Sequence, residues 1–180
     1  KVSNENIQDA DNKVLYNFLL KKTMGKSYYS IKPMPHTSLG LTSYLHATSP
    51  IRRYADLLVN YQLNRYLNNK DLISKEDVEQ MTHVINYQGR QNIMRYREDQ
   101  KYWLIKWLRK NSHMEFNMIL LNWVNKYKNI CIVYFIDYYF STICNLKSEK
   151  NLNIGESFNV QYIVNNNNDI IFFELISLSK

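Results

Sequence analysis

The sequence is poor in residues that break or cross-link a chain. Its 180 residues include four glycines, three prolines and two cysteines. Cys131 and Cys144 stand in separate apolar, strand-like segments, so we expect two buried free thiols and neither a disulfide framework nor a zinc pattern. No apolar run approaches the roughly 20 residues that a membrane span needs, and we expect no signal peptide and no membrane partner.

What the sequence does contain is typical of a folded protein. Hydrophobic residues make up 45% and aromatic residues 14% of the chain, enough for one or two small cores. The net charge of +7 suits an acidic partner such as nucleic acid. Frequent Asn, Ile, Lys and Tyr indicate an AT-rich genome, so we expect the cytoplasm or an organelle stroma, with a plastid as the organelle that this composition suggests. Because the chain opens with Lys1, we interpret it as a piece of a longer polypeptide.

The first part of the chain has helical periodicity. The segment "NIQDADNKVLYNFLLKK" carries apolar residues at helical spacing and predicts a first helix. Residues 25–40 hold two glycines and two prolines and predict an irregular loop. Ser49 and Pro50 are typical of an N-cap and a first helical position, so a second helix is expected from Ser49 to about Leu67.

A third, long helix is expected after a short turn. Ser74, with Asp77 three residues later, is a weak form of the capping box. The apolar pattern that follows it continues to about Arg109.

After Asn111 the pattern changes to short β-branched and aromatic segments. "FNMILLNWV", "NICIVYFI", "YYFSTICNL", "ESFNVQYIV" and "DIIFFELISL" are separated by turn residues. Five short strands after a helical block predict an α+β chain that ends in a barrel of the OB type, which commonly binds oligonucleotides. The change of pattern places a domain boundary near His113, with domains at 1–112 and 113–180.

The stretch "HATSPIRRYADLL" places Arg52 and Arg53 where the second helix is expected to begin. A helix N-terminus carries about +0.5 of an elementary charge, so each arginine there costs roughly a few tenths of a kcal/mol. A bound phosphate would resolve this conflict, because backbone N–H groups and guanidinium groups would converge on it. The alternative is that Arg52 pairs with Asp56 on the helix surface and that Arg53 is solvated.

The same stretch carries a family resemblance. "YLHATSPIRRYADLLVNYQL" resembles the signature of the RNB family of exoribonucleases, the ribonuclease II and ribonuclease R group. "GKSYYSIKPMPHTSLGLTSY" is similar to the segment before that signature, and "YREDQKYWLIKWL" to the helices after it. The resemblance implies the C-terminal part of an RNB catalytic domain, mainly helical, followed by an OB-fold RNA-binding domain.

The resemblance also implies chemistry. RNB enzymes degrade single-stranded RNA from its 3′ end to nucleoside monophosphates, with Mg²⁺ held by clustered aspartates. By position, Arg52 is the catalytic arginine that stabilises charge on the phosphate. Arg53 takes the second basic position, beside the RNA backbone or in support of the local fold.

Two departures from the family qualify this interpretation. The aspartate cluster is absent: the pair in "DAD", at Asp9 and Asp11, is better read as a solvated helix turn. We therefore expect no metal ligand in this chain, no hydrolysis by the chain alone, and dependence on an upstream catalytic portion on this or another polypeptide. Asn60 replaces a frequent His and is expected to be tolerated.

Further residues are candidates for RNA contact. They are Ser49, His46, Arg90, Arg97, Lys101, Tyr134 and Phe140. Each has a plainer alternative: helix capping for Ser49, packing for His46, a solvated helix face for the basic residues, and core packing for the aromatic ones. Because no His pair has helical metal-ligand spacing, we expect no metal site at the histidines.

Two functional hypotheses remain open on the sequence. In the first, the chain is part of a 3′-5′ exoribonuclease. In the second, it is a non-catalytic module that binds single-stranded RNA, or a relic of such an enzyme. Salt-sensitive RNA binding by the chain alone would support the second hypothesis.

Overall fold

The computed structural model describes residues 12–148, 151–165 and 170–178. The chain forms two compact units, one of residues 1–25 with 98–180 and one of residues 26–97. Helices and a β-barrel are both present, so the expected α+β class is confirmed. The domain boundary near His113 stays a prediction.

Three α-helices lie in the described part of the chain. They are α1 (Lys13–Thr23), α2 (Tyr54–Leu67) and α3 (Lys75–Lys110), with a 3-10 turn at Thr37–Leu39 inside the expected loop. Asn12 caps α1, because its side-chain oxygen accepts hydrogen bonds from the N–H groups of Val14 and Leu15. The acidic pair Asp9 and Asp11 lies outside the described residues.

The expected start of the second helix is wrong by one turn. Helix α2 begins at Tyr54 with Arg53 as its N-cap residue, and no side chain caps it. Ser49 closes a separate turn, since its carbonyl oxygen accepts the N–H groups of Arg52 (3.3 Å) and Arg53 (3.0 Å). Ser-Pro therefore initiates a turn here, and the helix starts only where the turn ends.

The long helix agrees with the sequence prediction. The Ser74 side-chain oxygen accepts the backbone N–H of Asp77 at 3.0 Å, which is one of the two hydrogen bonds of a capping box. The Asp77 carboxylate accepts from the Ser74 hydroxyl at 2.7 Å. Helix α3 runs through both units: residues 75–97 belong to the helical unit and 98–110 to the barrel unit.

The second half of the chain closes into a five-stranded barrel. Its strands are β1 (Glu115–Asn125), β2 (Ile130–Phe135), β3 (Phe140–Lys147), β4 (Ser157–Ile163) and β5 (Phe172–Leu178). The order around the barrel is β1-β2-β3-β5-β4, with β3 and β5 parallel and the other pairs antiparallel. All five predicted strands are confirmed.

The barrel encloses the main core. Residues of β2 alternate between buried and partly exposed positions, as the period of two requires. Cys131 and Cys144 face each other across β2 and β3 with sulfurs 3.7 Å apart, so the expected buried free thiols are confirmed. The hydrogen bond with Cys131 and burial both raise the pKa of the Cys144 thiol.

Helix α1 packs outside this core. Leu15 forms a second apolar cluster with Ile119 and Leu121 of β1. Gly155 faces the same leucine and has a φ of +91°, a backbone conformation that side-chain-bearing residues rarely adopt.

Candidate functional site

The Ser49–Arg53 turn separates the two arginines. Ile51 is fully exposed at the tip, and the Arg52 side chain beside it is also exposed. The Arg52 guanidinium lies 3.5 Å from the Ser49 hydroxyl oxygen. Arg52 therefore presents its charge to solvent from a short turn immediately before helix α2.

Arg53 is used differently. Its guanidinium donates to the Asp56 carboxylate at 2.8 Å and reaches the Thr48 hydroxyl at 3.4 Å, and its side chain is only 28% exposed. The alternative pairing of Arg52 with Asp56 is therefore wrong. Because α2 begins at Tyr54, Asp56 lies in the first helical turn, where it meets the N-cap residue Arg53.

Asp56 is the centre of the site, and sequence reasoning named it only as a surface partner. The side chain is fully buried, and it accepts the N–H of Ser49 at 2.8 Å in addition to Arg53. Burial alone would raise the pKa of Asp56, but the Ser49 hydrogen bond, the Arg53 pair and the charge of His46 outweigh it. The pKa of Asp56 is therefore lowered from its ordinary value of 3.8. The position of Asp56, four residues after Arg52 and three after Arg53, was the sequence signal that could have identified this carboxylate.

Asn60 makes a second attachment. Its amide donates to the carbonyl oxygen of Ala47 at 2.8 Å and to that of Asp56 at 2.9 Å. Asp56 and Asn60 together fix residues 47–49 to helix α2, and this fixes the base of the Arg52 turn. Asn60 thus makes structural hydrogen bonds. The sequence interpretation, which treated Asn60 as tolerated variation, had not identified them.

His46 lies in a row of rings before the turn. Its Nδ1 is 3.1 Å from the Tyr29 hydroxyl, and its ring meets Tyr44 edge-on at 4.9 Å. Tyr44 in turn meets His36 at 4.9 Å. These contacts account for His46 as a packed, hydrogen-bonded residue, and its contact with RNA stays a prediction.

The basic candidates lie on helix α3. Arg90 and Arg97 are exposed, and Lys101 is partly buried. Spacings of seven and four residues place the three positions near one helix face. They do not belong to the Ser49–Arg53 turn, and their role stays a prediction.

The aromatic candidates of the barrel are partly buried. Phe140 stacks on Phe135 with ring centroids 4.5 Å apart, and Tyr134 packs against the cluster that contains Leu15. Both contacts are apolar packing, so RNA stacking by Tyr134 and Phe140 also stays a prediction.

The chain is similar to known ribonucleases in the segment that carries this turn. Residues 1–69 match the family model of the RNB domain, and this range contains the Ser49–Arg53 turn and all of α2. The resemblance to the RNB family is confirmed. An uncharacterised ribonuclease of Synechocystis sp. is 32% identical over 108 residues, 59% of this chain and 16% of that protein. Ribonuclease R of Mycoplasma genitalium is 38% identical over 78 residues, 43% of this chain and 11% of that protein.

Solved structures share the fold. The Dss1 exoribonuclease of Candida glabrata has a TM-score of 0.79 at 22% identity, over 96% of this chain and 23% of that one. Ribonuclease R of Mycoplasma genitalium in complex with ribose-methylated single-stranded RNA has a TM-score of 0.75 at 21% identity, over 95% of this chain and 31% of that one. The expected helical block followed by an OB-type barrel is therefore confirmed. The chain spans less than a third of the length of each of these solved chains.

The described residues were compared with the ligand set that a metal ion needs. Within residues 12–148, 151–165 and 170–178, no three His, Cys, Asp or Glu side chains are grouped closely enough to hold a metal ion. The described residues therefore do not fit the Mg²⁺ site that the RNB resemblance implies. Among the same residues, no helix is both long and apolar enough to cross a membrane.

Proposed function

We propose that this chain forms the arginine-bearing and RNA-binding part of a hydrolytic 3′-5′ exoribonuclease acting on single-stranded RNA. The observation that carries the proposal is that one of the two arginines is paired and the other is exposed. Arg53 is occupied by the buried Asp56, whereas Arg52 keeps its guanidinium exposed on a turn attached to helix α2. The RNB match covers this turn.

Arg52 is assigned an electrostatic role. Its guanidinium would contact the scissile phosphate and stabilise the negative charge that develops there during hydrolysis. Helix α2 begins without a side-chain cap directly after Arg52 and Arg53, so its first N–H groups add partial positive charge on the same side. Arginine suits this task better than lysine because its planar group can donate two parallel hydrogen bonds to phosphate oxygens.

The remaining candidates are assigned to RNA binding outside the scissile linkage. Ser49 and Arg53 shape the turn, and His46 borders it. Arg90, Arg97 and Lys101 would follow the RNA backbone, and Tyr134 and Phe140 would meet bases only with a change in their packing. Binding through the basic residues should weaken as salt rises, because phosphate contacts release counterions.

The metal chemistry belongs to another portion of the enzyme. The RNB resemblance implies Mg²⁺ in the complete enzyme, where it would activate water. Since the described residues offer no ligand cluster, we propose that this chain hydrolyses RNA only when an upstream catalytic portion completes it. The localisation predicted from composition, a cytoplasm or an organelle stroma, stays part of this proposal.

A completed enzyme tests the assignment of Arg52. The upstream portion of Mycoplasma genitalium ribonuclease R, up to the region that this chain matches, would be joined to the full chain. In this chimera, Arg52→Ala should abolish release of nucleoside monophosphates from labelled single-stranded RNA and leave RNA affinity nearly unchanged. Arg95→Ala is the matched control, because Arg95 is exposed on the other side of α3 from Arg90, Arg97 and Lys101. Full cleavage by the Arg52→Ala chimera would refute the assigned role.

A binding module without catalysis is the second candidate. The basic face of α3 and the net charge of +7 favour it. The isolated chain would then bind single-stranded RNA with an affinity that falls steeply between low and physiological salt. No measurable affinity at low salt would eliminate this candidate.

A further inference from the structure

Helix α2 carries a buried charge in its first turn. Among the residues that the structure describes, Asp56 is the only charged side chain that is buried. A carboxylate loses its hydration on burial, and the free energy of that loss is recovered only through the donors around it. Local rules of this kind are broken most often where function requires it. The partners of Asp56 therefore indicate the use of the buried charge.

The ion pair of Asp56 uses only half of the carboxylate. Its Oδ2 accepts both the backbone N–H of Ser49 and the guanidinium of Arg53, each at 2.8 Å. Its Oδ1 and the Nε of Arg53 are buried and have no hydrogen-bond partner in the described part of the chain. Arginine and carboxylate frequently pair through two parallel hydrogen bonds, which this geometry does not form. The carboxylate is instead directed so that one oxygen serves the backbone of Ser49.

Ser49 connects this carboxylate to Arg52. The Ser49 carbonyl oxygen accepts the backbone N–H groups of Arg52 and Arg53, and its hydroxyl oxygen lies 3.5 Å from the Arg52 guanidinium. Ser49 is thus held by Asp56 at its N–H and contacts Arg52 through both its backbone and its side chain. A displacement of Ser49 would move both ends of the Arg52 residue.

We propose that Asp56 is a positioning residue for hydrolysis: it holds Ser49 through its backbone N–H, and Ser49 holds the Arg52 guanidinium in reach of the scissile phosphate. This inference rests on the proposed function and adds a residue to it. Because Asp56 is fully buried, it does not touch RNA and acts only through the turn. A misplacement of a reacting group by about 1 Å can cost on the order of 100-fold in rate, so a contact of this kind has a measurable effect.

The positioning role requires an oxygen at residue 56 that can accept the Ser49 N–H. Burial acts to raise the pKa of Asp56, and of the interactions that lower it the Ser49 hydrogen bond contributes most, ahead of Arg53. An asparagine offers an acceptor oxygen in the same geometry, whereas a leucine of similar size offers none. The two substitutions therefore separate the loss of the charge from the loss of the hydrogen bond.

The test measures kcat and KM on labelled single-stranded RNA in the chimera with the upstream portion of Mycoplasma genitalium ribonuclease R. Asp56→Leu should lower kcat by about 100-fold and change KM by less than about two-fold, because a misplaced Arg52 weakens only the transition state. Asp56→Asn should lower kcat by less than about five-fold, since the Ser49 hydrogen bond is kept. Asp71→Leu is the matched control, because Asp71 is an exposed carboxylate of the same unit.

A double-mutant cycle distinguishes positioning from a general loss of structure. Arg52→Lys keeps the charge and loses the planar fork, so measurable cleavage should remain. In that background Asp56→Leu should cost less than about three-fold, because the group that it positions has already been altered. A loss of about 100-fold in both backgrounds would show that Asp56 supports the fold and not Arg52, and it would overturn the proposal.

The hydrogen bond can also be removed from its donor side, which serves if the Asp56→Leu chimera does not fold. Ser49→Pro removes the N–H and keeps the pair of Arg53 with Asp56, whereas Ser49→Ala keeps the N–H and removes only the hydroxyl. Ser49→Pro should have a kcat at least about ten-fold below that of Ser49→Ala. Equal kcat values for these two variants, or a rise in KM with kcat unchanged, would overturn the positioning role. Full cleavage by the Arg52→Ala chimera would refute the proposed function and the positioning role with it, whereas a chimera that needs Arg52 but tolerates Asp56→Leu would refute the positioning role alone.

Discussion

The barrel unit and the helical unit of this chain differ in how many apolar side chains they bury. The barrel unit buries a cluster that includes Phe116, Phe135, Phe158 and Phe173, each at most 1% exposed. Among its described residues, the helical unit at 26–97 buries only Ala55, Leu58 and the carboxylate of Asp56, and it leaves many large apolar side chains exposed. Closure of a sheet into a barrel gives each inward side chain neighbours on every side, whereas two helices can cover only a stripe of each other.

This difference in burial separates the main apolar core of the chain from the segment that carries the arginine turn. The barrel has an enclosed core, and the helical unit holds the arginine turn through hydrogen bonds and one ion pair. The position of the arginine turn therefore depends on a few polar contacts more than on an enclosed apolar core.

The largest effect should come from the barrel core. Phe135→Ala removes a ring that contacts Phe116, Phe140 and Phe173, and it should lower the free energy of unfolding by about 3–5 kcal/mol. Urea denaturation followed by circular dichroism measures this change. A loss below about 1 kcal/mol would show that the barrel does not supply the stability assigned to it.

Gly155→Ala should have a smaller effect on the same unit. An alanine at φ +91° is strained, and its Cβ would lie 3.1 Å from Cδ2 of Leu15. We expect a loss of at least about 1 kcal/mol in the free energy of unfolding, measured by urea denaturation. Gly25→Ala is the control, because no heavy atom lies within 4 Å of the added Cβ and no positive φ is present. Equal costs for the two variants would contradict this account.

Asp56 should make the arginine turn sensitive to acid. Its folded-state pKa lies below the ordinary value of 3.8, so its contribution to stability is complete above that value and is lost as the pH falls through the folded-state pKa. Amide resonances of Ser49 and Arg53, followed by NMR, should shift together in that range. In Asp56→Asn the acid-induced shifts should disappear. Unchanged titration curves in this variant would assign the effect to another group.

The smallest effect should come from the tip of the turn. Ile51 is fully exposed, so Ile51→Ser should change the free energy of unfolding by less than about 0.5 kcal/mol. Thermal unfolding measures it, with Leu58→Ser, a buried position of the same unit, as the contrasting variant. A larger loss for Ile51→Ser than for Leu58→Ser would mean that Ile51 is covered in solution.

Prediction from the sequence succeeded where one periodic signal dominates. The five strands and the long helix carry unambiguous periods of two and 3.6 residues, and Ser74 with Asp77 marked the helix start correctly. The start of α2 was misplaced because Ser49 and Pro50 also fit the beginning of a turn. Local preference alone could not choose between the two, since the choice depends on the contact between Ser49 and Asp56 seven residues later.

The sequence by itself determined the elements, the basic charge and the signature by which this chain resembles the RNB family, because these depend on residue type and spacing along the chain. Only the tertiary structure decided which arginine is paired and which is exposed. That outcome follows from the burial of Asp56: one carboxylate can satisfy only the donors that the fold brings within hydrogen-bond distance, and the fold brings Ser49 and Arg53.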